Sequence, residues 1–246
     1  DIDLHASSIG AGVGFAIRTS LIPRLRSMPT GHSPRLMSLQ LELVSGFAAT
    51  IISAYAPTLV AAEEEKDRFY DQLDSLVRLV PHRNKLILLG DFNARVGRDH
   101  GAWESVIGNH GVGNENSNGT RLLSFCSMHR LSITNTLFQQ SNRRKTSWMH
   151  PRSKHWHMLD YAIVRQRDRG DVHLTRSLRG TTCWFDHCMI RCHMSIQLAP
   201  QRRFHTKPAK KLNVQMLREG EVQPAFAKRM EETLASVPEY TSAEEE

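Results

Sequence analysis

Lys85-Leu86-Ile87-Leu88-Leu89-Gly90-Asp91-Phe92-Asn93 is an apolar run of strand length that closes on a glycine, with an acid and an amide two residues apart beyond it. Side chains alternate along a strand, so Asp91 and Asn93 are expected to leave the backbone on one side and Phe92 on the other, into packing. A carboxylate and a carboxamide then share the mouth of a buried strand, where they can hold a water molecule or a phosphate.

The neighbouring stretches supply more sheet and two helices. Ala48 to Tyr55 reads as a strand stopped by Pro57, and Leu36 to Val44 alternates as a second. Gly46 lies in the short connection between them, which predicts a hairpin. Gly12 to Ile17 reads as an earlier strand. Glu63 to Val80 has helical spacing in Phe69, Leu73, Leu76, Val77 and Val80, with three glutamates in its first turn and Pro81 at its end. After a loop rich in Gly, Asn and His (Ala94 to Gly119), a helix is expected over Thr120 to His129. Short strands are expected near Ser132 to Asn135, Thr146 to Met149, Leu159 to Val164 and Asp186 to Leu198. Composition shifts at Pro200, so residues 1–198 are expected to form the main domain. Residues 199–246 then comprise a basic linker, a helix with Val222, Phe226, Met230 and Leu234 on one face, and an acidic tail.

The chain has 246 residues, 40% of them hydrophobic, which suits one large domain with a real core. A net charge of +7 points to an acidic partner, nucleic acid before others; a solvated basic surface has the same composition. No apolar run approaches the ~20 residues of a membrane span. The opening Asp1-Ile2-Asp3-Leu4-His5 lacks an initiator Met and the order of a signal peptide, so the chain reads as entered in mid-sequence, with an intracellular, nuclear location expected. Cys126, Cys183, Cys188 and Cys192 show no CxxC pair, and reduced thiols are favoured over a zinc site.

Four stretches bear on chemistry: Ser53-Ala54-Tyr55-Ala56-Pro57, Gly90-Asp91-Phe92-Asn93, Leu159-Asp160-Tyr161 and Asp186-His187. Alone, each has a bland reading: an acid capping a turn, a tyrosine packing, a surface acid–histidine pair. Together, at strand ends, they fit hydrolysis of a phosphate ester. Asp91 can accept a proton from water while Asn93 holds the geometry. Asp186 is a hard oxygen ligand suited to Mg2+. His187 can donate to phosphate with its tautomer fixed by Asp160, and Tyr55 can donate to the phosphate or the leaving oxygen.

These motifs resemble the endonuclease/exonuclease/phosphatase superfamily, that of deoxyribonuclease I and the apurinic endonucleases. More narrowly, the chain is similar to the endonuclease domain of LINE-type non-LTR retrotransposons and to craniofacial development protein 2-like proteins. Ile51-Ile52-Ser53-Ala54-Tyr55-Ala56-Pro57, Leu88 to Gly97 and Thr146-Ser147-Trp148 carry the likeness, which covers roughly residues 10 to 198. The resemblance implies an α+β fold, a four-layer α/β/β/α sandwich with its site at the strand ends of two facing sheets. It implies Mg2+-dependent cleavage of DNA, with Mn2+ as a substitute, leaving a 3′-hydroxyl. The family roles fall on Tyr55, Asp91, Asn93, Asp160, Asp186 and His187.

The family also opens with a strand ending in Asn and another carrying a metal-binding Glu, and neither precedes Gly12. The expectation is an N-terminally truncated domain with little or no metal-dependent nicking. Phe185 stands where the family has a small hydroxyl residue. A reverse-transcriptase domain is expected to lie outside this chain. Two other readings are a non-catalytic descendant that binds nucleic acid or protein, and a phosphatase of the same superfamily; the latter lacks the Ala-Tyr-Ala-Pro and Asn-Ala-Arg-Val-Gly wording.

For DNA, Arg143, Arg144, Lys145, Arg152 and Lys154 surround Trp148 and Trp156, and Arg165, Arg167 and Arg169 follow the Asp160 strand. Trp148 itself is expected in the core rather than against DNA. Oligomeric state is not encoded in any motif.

Overall fold

The computed structural model describes residues 12–179, 186–200 and 222–235. The chain divides into two units, Asp1–Gln201 and Arg202–Glu246.

In the first unit, strands β1 (Leu25–Ser33), β2 (Leu36–Glu42) and β3 (Ala48–Tyr55) form an antiparallel meander. Helix α1 (Glu63–Leu79) then crosses over to β4 (Lys85–Asp91), which runs parallel to β3. A small ribbon, β5 (Val96–Gly97) with β6 (Val112–Glu115), precedes α2 (Ser117–Met128) and β7 (Leu131–Ile133). Next come the ribbon of β8 (Trp148–Met149) and β9 (Trp156–His157), strand β10 (Asp160–Arg165), and a hairpin-like pair, β11 (Val172–Ser177) with β12 (Ile190–Met194). The main sheet has the order β1-β2-β3-β4-β10-β7.

Alternation along the strands divides the core in two. Ile52, Leu86, Leu88 and Ile163 pack with Phe69, Leu73 and Val77 of α1 and with Leu122, Leu123 and Cys126 of α2. The next residues in each strand, Ile51, Ile87 and Val164, face the other way and meet Val172, Cys192, Met194 and Ile196. The result is an α+β sandwich whose described layers are helices, main sheet and second sheet. A helical layer beyond the second sheet is not among the described residues. Burying a large aliphatic side chain contributes roughly 1.5–3 kcal/mol, so these two faces dominate the stability of the unit.

Several expectations need correction. Gly12 to Ile17 has no strand ladder among the described residues. Its alternation is nonetheless real: Val13, Phe15 and Ile17 are half-buried between exposed neighbours, and the last two pack against Leu39, Leu41 and Ala49. Strand β1 was not expected, because Pro29 and Gly31 interrupt it and few of its residues are apolar. It is an edge strand with three register irregularities against β2, a place where missing donors and polar side chains are tolerated. Strand β11 was also unforeseen.

In the second unit, α3 (Val222–Ala235) forms where the four-residue spacing places it. Phe226, Met230 and Leu234 are exposed.

Candidate active site

Register builds the site. Tyr55 stands opposite Asp91 in the parallel pair, and Asp91 stands opposite Asp160 in the antiparallel pair. Counting by twos from Ile51, Ile87 and Val164 puts Tyr55, Asp91 and Asp160 on the face toward the second sheet. Three polar side chains thus end three adjacent strands, where the apolar run of each stops. Gly90 permits the close approach of β3 and β4. Its φ is +151°, and a Cβ there would lie 1.8 Å from the Ala54 carbonyl oxygen.

Asn93 joins the site by a different route from the one alternation suggests. Strand β4 ends at Asp91, and Asn93 adopts a left-handed φ of 47°. Its backbone N–H donates to Asp91 Oδ1 at 2.8 Å, and its Nδ2 donates to the Ala56 carbonyl at 2.9 Å. Asn93 therefore fixes the Asp91 carboxylate through a turn and ties the β4 exit to the β3 exit. Phe92 is fully buried, as expected.

His187 completes the row from the second-sheet side. Its Nδ1 lies 2.9 Å from Asp160 Oδ2, and its Nε2 lies 4.0 Å from Asp91 Oδ2. One donor atom from each of Asp91, Asp160 and His187 falls within 4.8 Å of the others. Burial pushes the Asp91 carboxyl up to about 6; the Asp160 and Asp186 charges add to this, while the Asn93 N–H and His187 pull the other way. For His187, burial opposes the charged ring, but the hydrogen bond to Asp160 and the charges of Asp160, Asp91 and Asp186 outweigh it and hold the imidazole above its ordinary value.

Asp186 lies at the rim, close enough for its charge to act on both groups. Its Oδ2 accepts from Trp148 Nε1 at 2.7 Å. Trp148 is thus not a core residue. It is half-buried beside the site, 6.2 Å ring to ring from His187 and flanked by His150 and His157. Its indole N–H needs a partner, which draws it to the carboxylate. Phe185 and Cys183 lie outside the described residues.

Ser147 was missed as a site residue. Its Oγ accepts from the N–H groups of Leu159 and Asp160, each at 3.2 Å, and its carbonyl accepts from Cys188 N–H at 2.6 Å. It fastens the strand carrying Asp160 to the segment carrying His187. The signal was the Thr146-Ser147-Trp148 phrase, which stood out by resemblance without a role. Arg35 was also missed. It lies 5.1 Å from the Tyr55 ring, donates to the Tyr55 carbonyl and pairs with Glu65.

The expected DNA-binding cations divide. Arg143, Arg144, Arg152 and Lys154 are exposed. Lys145 is buried, with its ammonium on the His110 carbonyl at 2.8 Å, so it holds a loop. Arg165 is corrected. Arg165 is buried, lies at the far end of β10, roughly 17 Å along the strand from Asp160, and donates to the Val80 carbonyl. Arg167 donates to the Asn84 carbonyl. Arg165 thus secures the end of α1, not the cleft, while Arg167 is exposed beside the start of β4.

The family model for endonuclease-reverse transcriptase matches residues 49–191, over half of the chain. Craniofacial development protein 2 of Bos taurus is 39% identical over 152 residues, covering 62% of this chain and 25% of that protein. The protein of the same name from Tragulus javanicus is 34% identical over 212 residues, covering 85% and 36%. The chain therefore spans about a quarter to a third of the length of these relatives. Among solved structures, the endonuclease domain of TRAS1, a telomere-specific non-LTR retrotransposon, gives a TM-score of 0.49 at 13% identity, covering 67% of this chain and 65% of that one. The catalytic domain of Xenopus laevis APE2 gives 0.49 at 18%, covering 70% and 58%.

Proposed function

The chain belongs to the endonuclease-reverse transcriptase family, and from that premise we propose that it hydrolyses phosphodiester bonds in DNA with the help of a divalent cation, Mg2+ first. The observation that carries the reading is the convergence of Asp91, Asp160 and His187 on one face at the ends of neighbouring elements.

Chemical roles follow from the contacts. Asp91 Oδ2 is the free oxygen of a carboxylate whose other oxygen is held by Asn93, and its affinity for protons near 6 suits a base that takes a proton from water near neutral pH. Asp160 orients His187 through Nδ1, leaving Nε2 to donate toward a phosphate oxygen across the gap from Asp91. Tyr55 stands next in the row, and in this reading its hydroxyl donates to a phosphate or leaving oxygen.

The donor set fits a hard cation: two carboxylates stand beside one imidazole, and burial, with the Asp160 charge, already raises Asp91. Asp91 and Asp160, whose donor atoms group with that of His187, would hold it, with the Asp186 carboxylate at the rim. When bound, the cation offsets charge on the phosphate.

Nicking of supercoiled plasmid tests the reading. Slow Mg2+-dependent nicking is expected, lost in chelator and reduced further by Asp91→Asn or His187→Ala, by about 10²–10⁴-fold. Nicking unaffected by either substitution would overturn it. A second reading, a nucleic-acid-binding protein without turnover, draws on the Trp148 bond that occupies one oxygen of Asp186. Binding of DNA with no nicking at any Mg2+ or Mn2+ concentration would favour it.

A further inference from the structure

Beside the acid–imidazole row, four arginines (Arg143, Arg144, Arg176, Arg179) and two serines (Ser141, Ser177) line a cavity of about 510 Å3. Among the described residues no carboxylate lines it. Among the described residues none of these guanidinium groups forms an ion pair.

A further observation points to a missing anion. Arg176 stands directly opposite Arg191 across the β11–β12 pair, and like charges in that position destabilise a sheet.

The cavity is partly preorganised. Arg179 donates to the Arg143 carbonyl at 2.7 Å and to Thr146 Oγ1 at 2.8 Å, and its guanidinium lies 3.6 Å from the Trp156 ring centroid. The cavity also adjoins the site. Leu178 lines both this cavity and the cleft that holds Asp160 and His187, and Thr146 leads through Ser147 to Trp148.

We infer that this cavity is a phosphate-binding subsite that grips the backbone of the DNA strand as it leaves the cleft. The choice of DNA as the source of the phosphate rests on the nuclease reading. Guanidinium forks match phosphate oxygens two at a time.

The test is fluorescence-anisotropy titration of a labelled DNA duplex in chelator, where nothing is cut, at several salt concentrations. Arg143→Gln/Arg176→Gln is expected to weaken binding about tenfold at 0.1 M salt and to flatten the salt dependence by roughly two phosphate contacts. Arg68→Gln, on the exposed face of α1, removes one charge elsewhere and is expected to change neither. Because Arg176 is half-buried, Arg143→Gln/Arg144→Gln, with both side chains exposed, gives the same reading if the first variant melts early. Folded variants that bind like Arg68→Gln would overturn the inference. So would calorimetric saturation by pyrophosphate that depends on these arginines while DNA affinity does not, which would mark a small-anion site. Loss of nicking with this binding pattern intact would sink the nuclease reading and leave the subsite standing.

Discussion

At the scale of single residues, Asp91 sets the electrostatic cost of the site. Its carboxyl, raised to about 6 by burial and by Asp160, binds its proton more tightly folded than unfolded, where an aspartate titrates near 4. The native chain is therefore most stable, as far as this group goes, below about pH 4, and loses that stability as pH rises through 6. His187 has the same sign: its raised affinity for a proton helps below its unfolded value and fades as pH rises through its folded one. In chelator at pH 7.5, Asp91→Asn is expected to raise stability by about 2 kcal/mol, and the gain should vanish below pH 4. Melting temperatures of both proteins across pH check this, and parallel curves would refute it. Asn also keeps an oxygen to accept from the Asn93 N–H, so the substitution leaves the turn in place.

At the scale of elements, α2 acts as a clamp on the strand exits. Asn116 caps it, accepting at Oδ1 from Gly119 N–H at 2.8 Å and from Arg95 N–H at 2.9 Å, while Asn118 Nδ2 donates to the Asn93 and Pro57 carbonyls. Asn116→Ala is expected to cost about 1–2 kcal/mol, measured by urea unfolding. An unchanged midpoint would show that the cap is replaced by water. This helix also shows what the sequence could convey. Its apolar half was legible from Leu122, Leu123 and Phe125, but its start was placed three residues late because Asn116-Ser117-Asn118-Gly119 reads as loop. Gly119 is demanded by packing, since a Cβ would lie 1.8 Å from the Arg95 carbonyl oxygen. The β3, β4 and α1 boundaries were legible because buried faces impose strict periodicity. Strand β1 was not, because an edge needs little apolar pattern. The acids and His187 could be named from strand ends and family phrases. The contacts of Asp186 with Trp148 and of Arg165 with Val80 join residues far apart in sequence, and no local pattern reports them.

At the scale of the whole molecule, both core clusters that hold the sheets are built from residues within the first unit. We propose that it is a self-sufficient domain. A chain ending at Gln201 is then expected to keep the melting temperature of the full chain. It should also bind DNA with a shallower salt dependence, by up to about five contacts, through loss of Arg202, Arg203, Lys207, Lys210 and Lys211. A fall of several degrees in melting temperature would contradict the first half, and an unchanged slope the second. No described helix is long and apolar enough to cross a membrane. The row of side chains at the cleft also has a consequence in time. Tyr55, Asp91, Asp160 and His187 leave the ribosome in that order, and His187 follows Asp91 by roughly a hundred residues, on the order of ten seconds of synthesis. Until the last strand arrives, the nascent chain carries its buried acids with no imidazole to answer them. On the nuclease reading proposed above, the growing chain would stay inert until the final strand closes.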